Sequence, residues 1–354
     1  MAQTSIPADL ARYHRQVILP GFGVEGQRRL AAAHALVVGC GALGTVATDA
    51  LVRAGVGRVT IVDRDIVEFT NLQRQVLFDE SDARAGLPKA QAAADRLARV
   101  NSVVEVVPVV ADLNSRNVMD LCRTVGVVID GTDNFQTRYL LNDACVKRTA
   151  DGEPLALVYG GVVATSGMTL TIVPRATPCL RCIFPDPPPP GISPTCDTAG
   201  VLGPMAGVVA CIQAAEAIKV LLGRTDLLRP VLSEFDLWNN TRRTIDLATI
   251  DRSACPCCSG GRYEFLDSAA EQTASLCGSD SVQVLPSAPT TIDPTEFVER
   301  MARAGFAGFS ASRFMARGIA DGLGLTVFTD GRAIIKGTTD AGRARSIHAR
   351  FVGG

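Results

Sequence analysis

Apolar and polar positions alternate in blocks along the first half of the chain. A short apolar run at 35–38 (Ala-Leu-Val-Val) predicts a strand that ends in a glycine-rich loop. Residues 43–54 follow with helical spacing and stop at Gly55 and Gly57. Further strands are expected at 58–62, 103–110 and 126–129, with helices at 88–100 and 135–149 between and after them. Pro88 suits a first helical turn. Strand–helix alternation over about 150 residues predicts an α/β fold: a doubly wound, mostly parallel, Rossmann-like sheet.

The pattern changes after Pro154. Residues 155–163 and 168–173 read as neighbouring strands, 204–222 as a helix, and 231–237 with 241–247 as a strand pair around Asn239-Asn240. Between them, residues 185–194 hold six prolines in ten positions, which demands an irregular or extended loop. A weakly patterned stretch runs to about Gly278. A small C-terminal α/β appendage is then expected: a strand at 282–285, a helix at 294–304, strands around 310–317, 324–329 and 332–336, and a helix at 341–351. The expected division is a large domain over 1–268 and a small domain over 269–354. There is no internal repeat.

Composition removes several function classes. With 35 basic and 36 acidic residues the net charge is -1, which gives no electrostatic reason to expect nucleic acid or an anionic membrane as partner. One Trp and four Tyr leave few platforms for base stacking. The longest apolar stretch, 201–222, contains Gln213, Glu216 and Lys219 and reads as a buried helix, not a membrane span. The N-terminus has no signal-peptide core, so a cytoplasmic, reducing location is expected. Eleven cysteines are then read as metal ligands, reactive thiols and core residues.

The chemistry starts at the glycine loop. Gly39-x-Gly41-x-x-Gly44 after a strand lets backbone approach phosphates at a helix N-terminus. Asp63 ends the next strand, where an acid can hold ribose hydroxyls. This motif alone is more often an NAD or FAD site. The polar run Asp63-Arg64-Asp65-Ile66-Val67-Glu68-Phe69-Thr70-Asn71-Leu72-Gln73-Arg74-Gln75, then Lys89, then Asp133 and Asn134, suits a triphosphate with Mg²⁺ better than hydride transfer.

Cys179-x-x-Cys182 and Cys255-x-x-Cys258 can place four thiolates on one tetrahedral Zn²⁺. The 72 residues between the pairs imply a tie between distant segments of one domain, and four protein ligands imply a structural role. Cys257 is an alternative to Cys258, although the x-x spacing favours Cys258. Cys196, between the proline-rich loop and the 204–222 helix, is a candidate nucleophile on a loop. Cys40, Cys122, Cys145, Cys211, Cys257 and Cys277 read as core or incidental. Only three histidines are present, and no catalytic triad.

Arg12-Tyr13-His14-Arg15-Gln16, the glycine loop, the 63–75 run, Pro88-Lys89 and Gly131-Thr132-Asp133-Asn134 together resemble the ThiF/MoeB/HesA family of adenylyltransferases, which are similar to ubiquitin-activating enzymes. The resemblance covers roughly residues 8–260. It implies ATP-dependent adenylation of the C-terminal glycine of a small ubiquitin-like sulfur carrier ending in Gly-Gly, in thiamine thiazole or molybdopterin synthesis. It assigns ATP phosphate to backbone N–H groups of Gly41 and Ala42, ribose to Asp63, phosphates to Asn71, Arg74 and Lys89, and Mg²⁺ to Asp133, with Asn134 beside it. Arg15 would reach the nucleotide of the partner subunit, implying a homodimer. Ala42 departs from the glycine of many relatives, which a backbone contact should tolerate. Cys196 would form a thioester, an acyl disulfide with a sulfur donor such as a cysteine desulfurase, or neither. An NAD-dependent oxidoreductase and a non-enzymatic zinc-bearing scaffold are the alternatives. The appendage does not resemble a rhodanese. Solvated hairpin residues around Arg332 and Lys336 and a coincidental Gly353-Gly354 end are the default readings there.

Overall fold

The computed structural model describes residues 6–188, 196–267, 273–275, 280–286, 288 and 290–353. Residues 189–195 of the proline-rich segment, Cys277 and Gly354 lie outside the described residues, and of Cys196 and Asp197 only the backbone is described. The chain divides into two compact units, Met1–Ser268 and Ala269–Gly354.

The first unit is built on eight strands: β1 His34–Val38, β2 Arg58–Asp63, β3 Glu105–Val110, β4 Val127–Asp130, β5 Ala156–Val163, β6 Ser166–Ile172, β7 Val231–Asp236 and β8 Thr241–Asp246. Their order is β3-β2-β1-β4-β5-β6-β7-β8. The first five are parallel and the last three run antiparallel. Leu36, Val37, Val38, Val127, Val128 and Ile129 are all buried. Continuous apolar strands of this kind belong in a sheet covered on both faces.

The four longest helices of this unit among the described residues help cover it: α1 Ala42–Ala54, α2 Lys89–Val100, α3 Phe135–Ala150 and α4 Gly203–Leu221. α1 stops where Gly55 adopts φ +83° and returns its N–H to Leu51 and Val52 carbonyls. α2 buries every residue from Lys89 to Ala94, and then Leu97, so its first turns are enclosed all round and its last turns on one side only. Pro88 lies just outside this helix as its N-cap, with ψ 133°, because it pairs as a bridge with Ile66. The expectation of a first-turn proline is corrected by one residue. α1, α2 and α4 share one core with Val37, Ile61 and Ile129. α3 shares the other with Leu36, Val128, Leu157 and the Cys179 and Cys255 segments.

α4 is long and apolar enough to cross a membrane by length and composition. Here it packs on α1 and on β5, with Gln213 donating to Asp130 O and Val158 O at 2.8 and 3.0 Å.

The second unit is a six-stranded antiparallel sheet in the order β11-β12-β13-β14-β10-β9. Its strands are β9 Thr273–Ser275, β10 Ser281–Val284, β11 Ser310–Ala311, β12 Met315–Ala320, β13 Leu323–Phe328 and β14 Ala333–Lys336. Helices α5 Pro294–Arg303 and α6 Ala341–Phe351 close its core through Phe297, Met301, Ile347 and Phe351. Three expectations change. Arg332, read as a solvated hairpin residue, is fully buried: it stacks over Phe328 and donates from Nη1 to Gln283 Oε1 at 3.2 Å, because its guanidinium finds those partners inside the sheet. The strand read at 310–317 is a tight hairpin, because Ser312 Oγ accepts from the Phe314 and Met315 N–H groups and turns the chain. β9 lies in the stretch that carried no pattern.

Candidate nucleotide site and candidate metal centre

Strand order reverses between β1 and β4, and in open α/β sheets the crevice at the carboxyl ends of such strands receives ligands. The glycine loop follows β1 and the Gly131–Asn134 turn follows β4, so both sit at this point. Close approach is what the glycines provide. A Cβ on Gly44 would stand 1.8 Å from Gly39 O, and one on Gly131 would stand 2.6 Å from the same oxygen. Gly39 itself has φ +86°. At Gly41 a Cβ would meet nothing nearer than Gln75 Nε2 at 3.9 Å, so that glycine leaves space instead of relieving a clash. Gly41 is the N-cap of α1 and has no side-chain cap, which leaves the first-turn N–H groups, starting at Ala42, without intrahelical acceptors.

Asp63 is buried at the end of β2. Its carboxylate accepts the Cys40 N–H at 2.6 Å and the Asp65 N–H at 2.7 Å, which fixes the acid to the glycine loop. Burial pushes its carboxyl upward, and Lys89 opposes that. Lys89 Nζ lies 3.1 Å from Asp65 Oδ2. Burial disfavours its charge, but Asp65 and Asp63 outweigh burial and hold its pKa above the ordinary lysine value. Arg64, which sequence reasoning passed over, pairs with Asp112 at 2.9 Å and feels Asp65 and Asp133.

Asn71 is buried in a one-turn helix, where Oδ1 accepts the Glu68 N–H at 2.9 Å. Arg74 is partly exposed, donates to Thr70 O at 2.9 Å, and lies beside the Gly203 start of α4. Gln75 is buried next to Gly41 with Oε1 unpartnered. Asp133 is exposed on the turn after β4. Asn134 is the N-cap of α3, its Oδ1 accepting Thr137 N–H at 2.8 Å. Arg15 is exposed in the short N-terminal helix His14–Val17.

The Asp133 turn is held from behind by two residues that sequence reasoning missed. Arg138 donates to Thr132 O at 2.7 Å, lies 3.6 Å from Asp130 Oδ2 and stacks over Tyr159. Asp130 is fully buried and also accepts the Thr132 N–H and hydroxyl. A charged residue ending the apolar run of β4 was the available signal.

The four cysteines converge. Cys179, Cys182, Cys255 and Cys258 place their Sγ atoms within 4.8 Å of one another. The Sγ separations are 3.6 Å for Cys179–Cys255, 3.7 Å for Cys179–Cys182 and 3.4 Å for Cys182–Cys258. Thiolates about 2.3 Å from a tetrahedral ion stand about 3.8 Å apart, so the donor set fits a closed four-thiolate metal site. Cys257 is outside this group, although its thiol also touches Cys179; it faces Asn142 and Asp143 of α3. Cys196 begins a one-turn helix, Cys196–Ala199, in place of the expected loop, because the chain coils into a single turn before the Ala164–Val201 bridge. Cys40, Cys122 and Cys145 are buried, and Cys211 is exposed on α4.

The chain is 40% identical over 343 residues to the sulfur carrier protein ThiS adenylyltransferase of Bacillus subtilis, covering 97% of this chain and 99% of the relative. It is 43% identical over 256 residues to the sulfur carrier protein adenylyltransferase of Thermus thermophilus, covering 71% and 91%. The crystal structure of E. coli MccB with MccA-N7isoASN superposes with a TM-score of 0.58 at 21% identity, covering 72% of this chain and 75% of that one, a likeness of fold. Residues 13–257 match the ThiF family, to which this chain belongs.

Proposed function

We propose that this protein is an ATP-dependent adenylyltransferase that activates the C-terminal glycine of a small ubiquitin-like sulfur carrier. The observation that carries this reading is the likeness, over nearly the whole of both chains, to an adenylyltransferase of that kind. That relative also aligns through the appendage and is named for ThiS, so a ThiS-like carrier and thiazole synthesis are favoured over the molybdopterin branch.

The chemistry requires little acid–base help. A carboxylate is already ionised at neutral pH, so its oxygen attacks the α-phosphate directly. The bond to the β-phosphate oxygen breaks, and pyrophosphate leaves with that electron pair. The protein must position two anions and offset developing charge. In this reading, backbone N–H groups of Gly41 and Ala42 hold phosphate and Asp63 takes the ribose hydroxyls. Asn71, Arg74 and Lys89 grip the phosphates, and Arg15 reaches the partner subunit's nucleotide in a homodimer. Lys89 suits this role because its partners keep it charged. Asp133, with Asn134 beside it, would hold Mg²⁺, which supplies charge neutralisation on the phosphates. Cys179, Cys182, Cys255 and Cys258 would hold a structural Zn²⁺. Cys196 would attack the acyl adenylate as a thiolate, forming a thioester and expelling AMP, or, carrying a persulfide received from a cysteine desulfurase or similar donor, would attack with its outer sulfur to give an acyl disulfide, again expelling AMP. The setting is the cytoplasm.

ATP–pyrophosphate exchange with each small Gly-Gly-ending carrier of the same cell tests the proposal. Exchange that depends on one carrier is expected and names the pathway. No exchange with any carrier, on metal-replete protein, overturns it.

A further inference from the structure

α3 carries an adjacent polar pair, Asn142 and Asp143, at full burial among Leu140, Leu141, Ala144 and Cys145. Two buried polar side chains in a helix interior need partners, and those they have are informative. Asn142 Oδ1 accepts the Leu180 N–H at 2.9 Å, inside the Cys179–Cys182 segment. Asn142 Nδ2 donates to Cys257 Sγ at 3.4 Å, inside the Cys255–Cys258 segment. Asp143 Oδ1 accepts from Cys257 Sγ at 3.3 Å, and Oδ2 accepts the Phe265 N–H at 3.1 Å. One helix turn therefore grips both halves of the four-thiolate cluster, although the two halves lie 72 residues apart in sequence.

We propose that Asn142 and Asp143 are positioning residues that hold the two Cys-x-x-Cys segments in register for metal, and that Cys257 is the thiol they grip and not a ligand. The proposal rests on the metal reading above. The clamp works by pre-organisation. The Leu180 N–H fixes the first turn between Cys179 and Cys182, whose own Cys182 N–H returns to Cys179 O at 3.1 Å. Cys257 fixes the second, which Gly260 and Gly261 close with N–H groups donating to Cys255 O and Cys257 O, both at 2.9 Å. Four thiolates held at these separations lose little further freedom when a metal arrives. Without the clamp, the segments must be ordered by the metal alone.

The test uses the full chain purified with zinc. Its metal content is measured first: about one zinc per chain is expected, and none would remove the metal reading itself, a failure distinct from that of the clamp. Zinc transfer to an excess of chromophoric chelator is then timed. Asn142→Ala and Cys257→Ala should release zinc about 10- to 100-fold faster than wild type. Asn142→Asp, which keeps the acceptor for Leu180 N–H, should restore part of the difference. Leu141→Ala, a cavity on the same helix, should lower Tm while leaving release near the wild-type rate. With cobalt(II), Cys257→Ala should keep the full thiolate charge-transfer intensity, whereas Cys258→Ala should lose part of it. Wild-type release rates in Asn142→Ala and Cys257→Ala overturn the clamp, as does equal acceleration in Leu141→Ala. Lost cobalt intensity in Cys257→Ala does so too, by making Cys257 a ligand. Should Asn142→Ala fail to fold, the Cys257→Ala measurements decide alone.

Discussion

Lys89 Nζ lies 3.1 Å from Asp65 Oδ2, and the Lys89 N–H donates to Asp65 O at 2.9 Å, so one residue of the 63–75 run holds both ends of the lysine. The pair fixes the start of α2 against the end of β2. With Asp63 close by, it keeps the buried ammonium charged. A lysine with a raised folded pKa contributes stability fully present below its ordinary value of 10.5, and lost as pH rises from there through the folded value. Tm should therefore hold level in this respect up to about pH 10 and fall above it. Lys89→Met should lose about 2 kcal/mol at pH 8 and lack that part of the alkaline fall. Thermal melts of both proteins between pH 8 and 11 check this. A Lys89→Met curve parallel to wild type at high pH would contradict it.

Asp133 and Asp130 sit three residues apart and predict opposite phenotypes. Asp133 is exposed, so Asp133→Ala should leave stability within about 0.5 kcal/mol while reducing pyrophosphate exchange at least 100-fold. Asp130 is fully buried beside Arg138, so Asp130→Ala removes the carboxylate facing a buried guanidinium and should cost about 3–5 kcal/mol. Wild-type exchange by Asp133→Ala would end its proposed role. Paired calorimetry and exchange assays separate the two.

The glycines divide in the same way. Gly44→Ala places a Cβ 1.8 Å from Gly39 O and should destabilise by at least about 2 kcal/mol. Gly41→Ala meets nothing within 3.9 Å and should melt like wild type but bind ATP more weakly, because the added methyl enters the proposed phosphate space. Equal ATP affinity in Gly41→Ala would move the phosphates elsewhere.

Cys196→Ala should retain carrier-dependent pyrophosphate exchange and lose thiocarboxylate formation on the carrier. Mass spectrometry of the carrier after reaction with a sulfur donor reads this directly. Full thiocarboxylate yield would end the nucleophile assignment.

With the proposed metal in place, four thiolates would tie Cys179–Cys182 to Cys255–Cys258 across one domain, so stripping it with a strong chelator should lower Tm, and zinc should restore it. An unchanged Tm after verified metal loss would make the site energetically idle.

Sequence alone determined the elements whose pattern is local. Short β-branched apolar runs bounded by glycine, such as Val127-Val128-Ile129, read as covered strands, and Gly39 and Gly44 mark a loop where backbone comes close. The Cys-x-x-Cys spacing made the four cysteines legible as candidate metal ligands, because two thiolates on one turn is a local geometry. Strand order, the pairing of Lys89 with Asp65, and the gripping of both cysteine segments by Asn142 and Asp143 depend on contacts between distant residues. No periodicity encodes these. Asn142-Asp143 lie unmarked within the helix expected at 135–149, and only the packing of α3 between the sheet and the cysteine segments gave the pair buried partners. Pro88 moved out of its helix for the same reason, since a bridge to Ile66 outweighed its local preference. Local propensity sets what a segment can be, and burial against distant partners decides what its polar residues do.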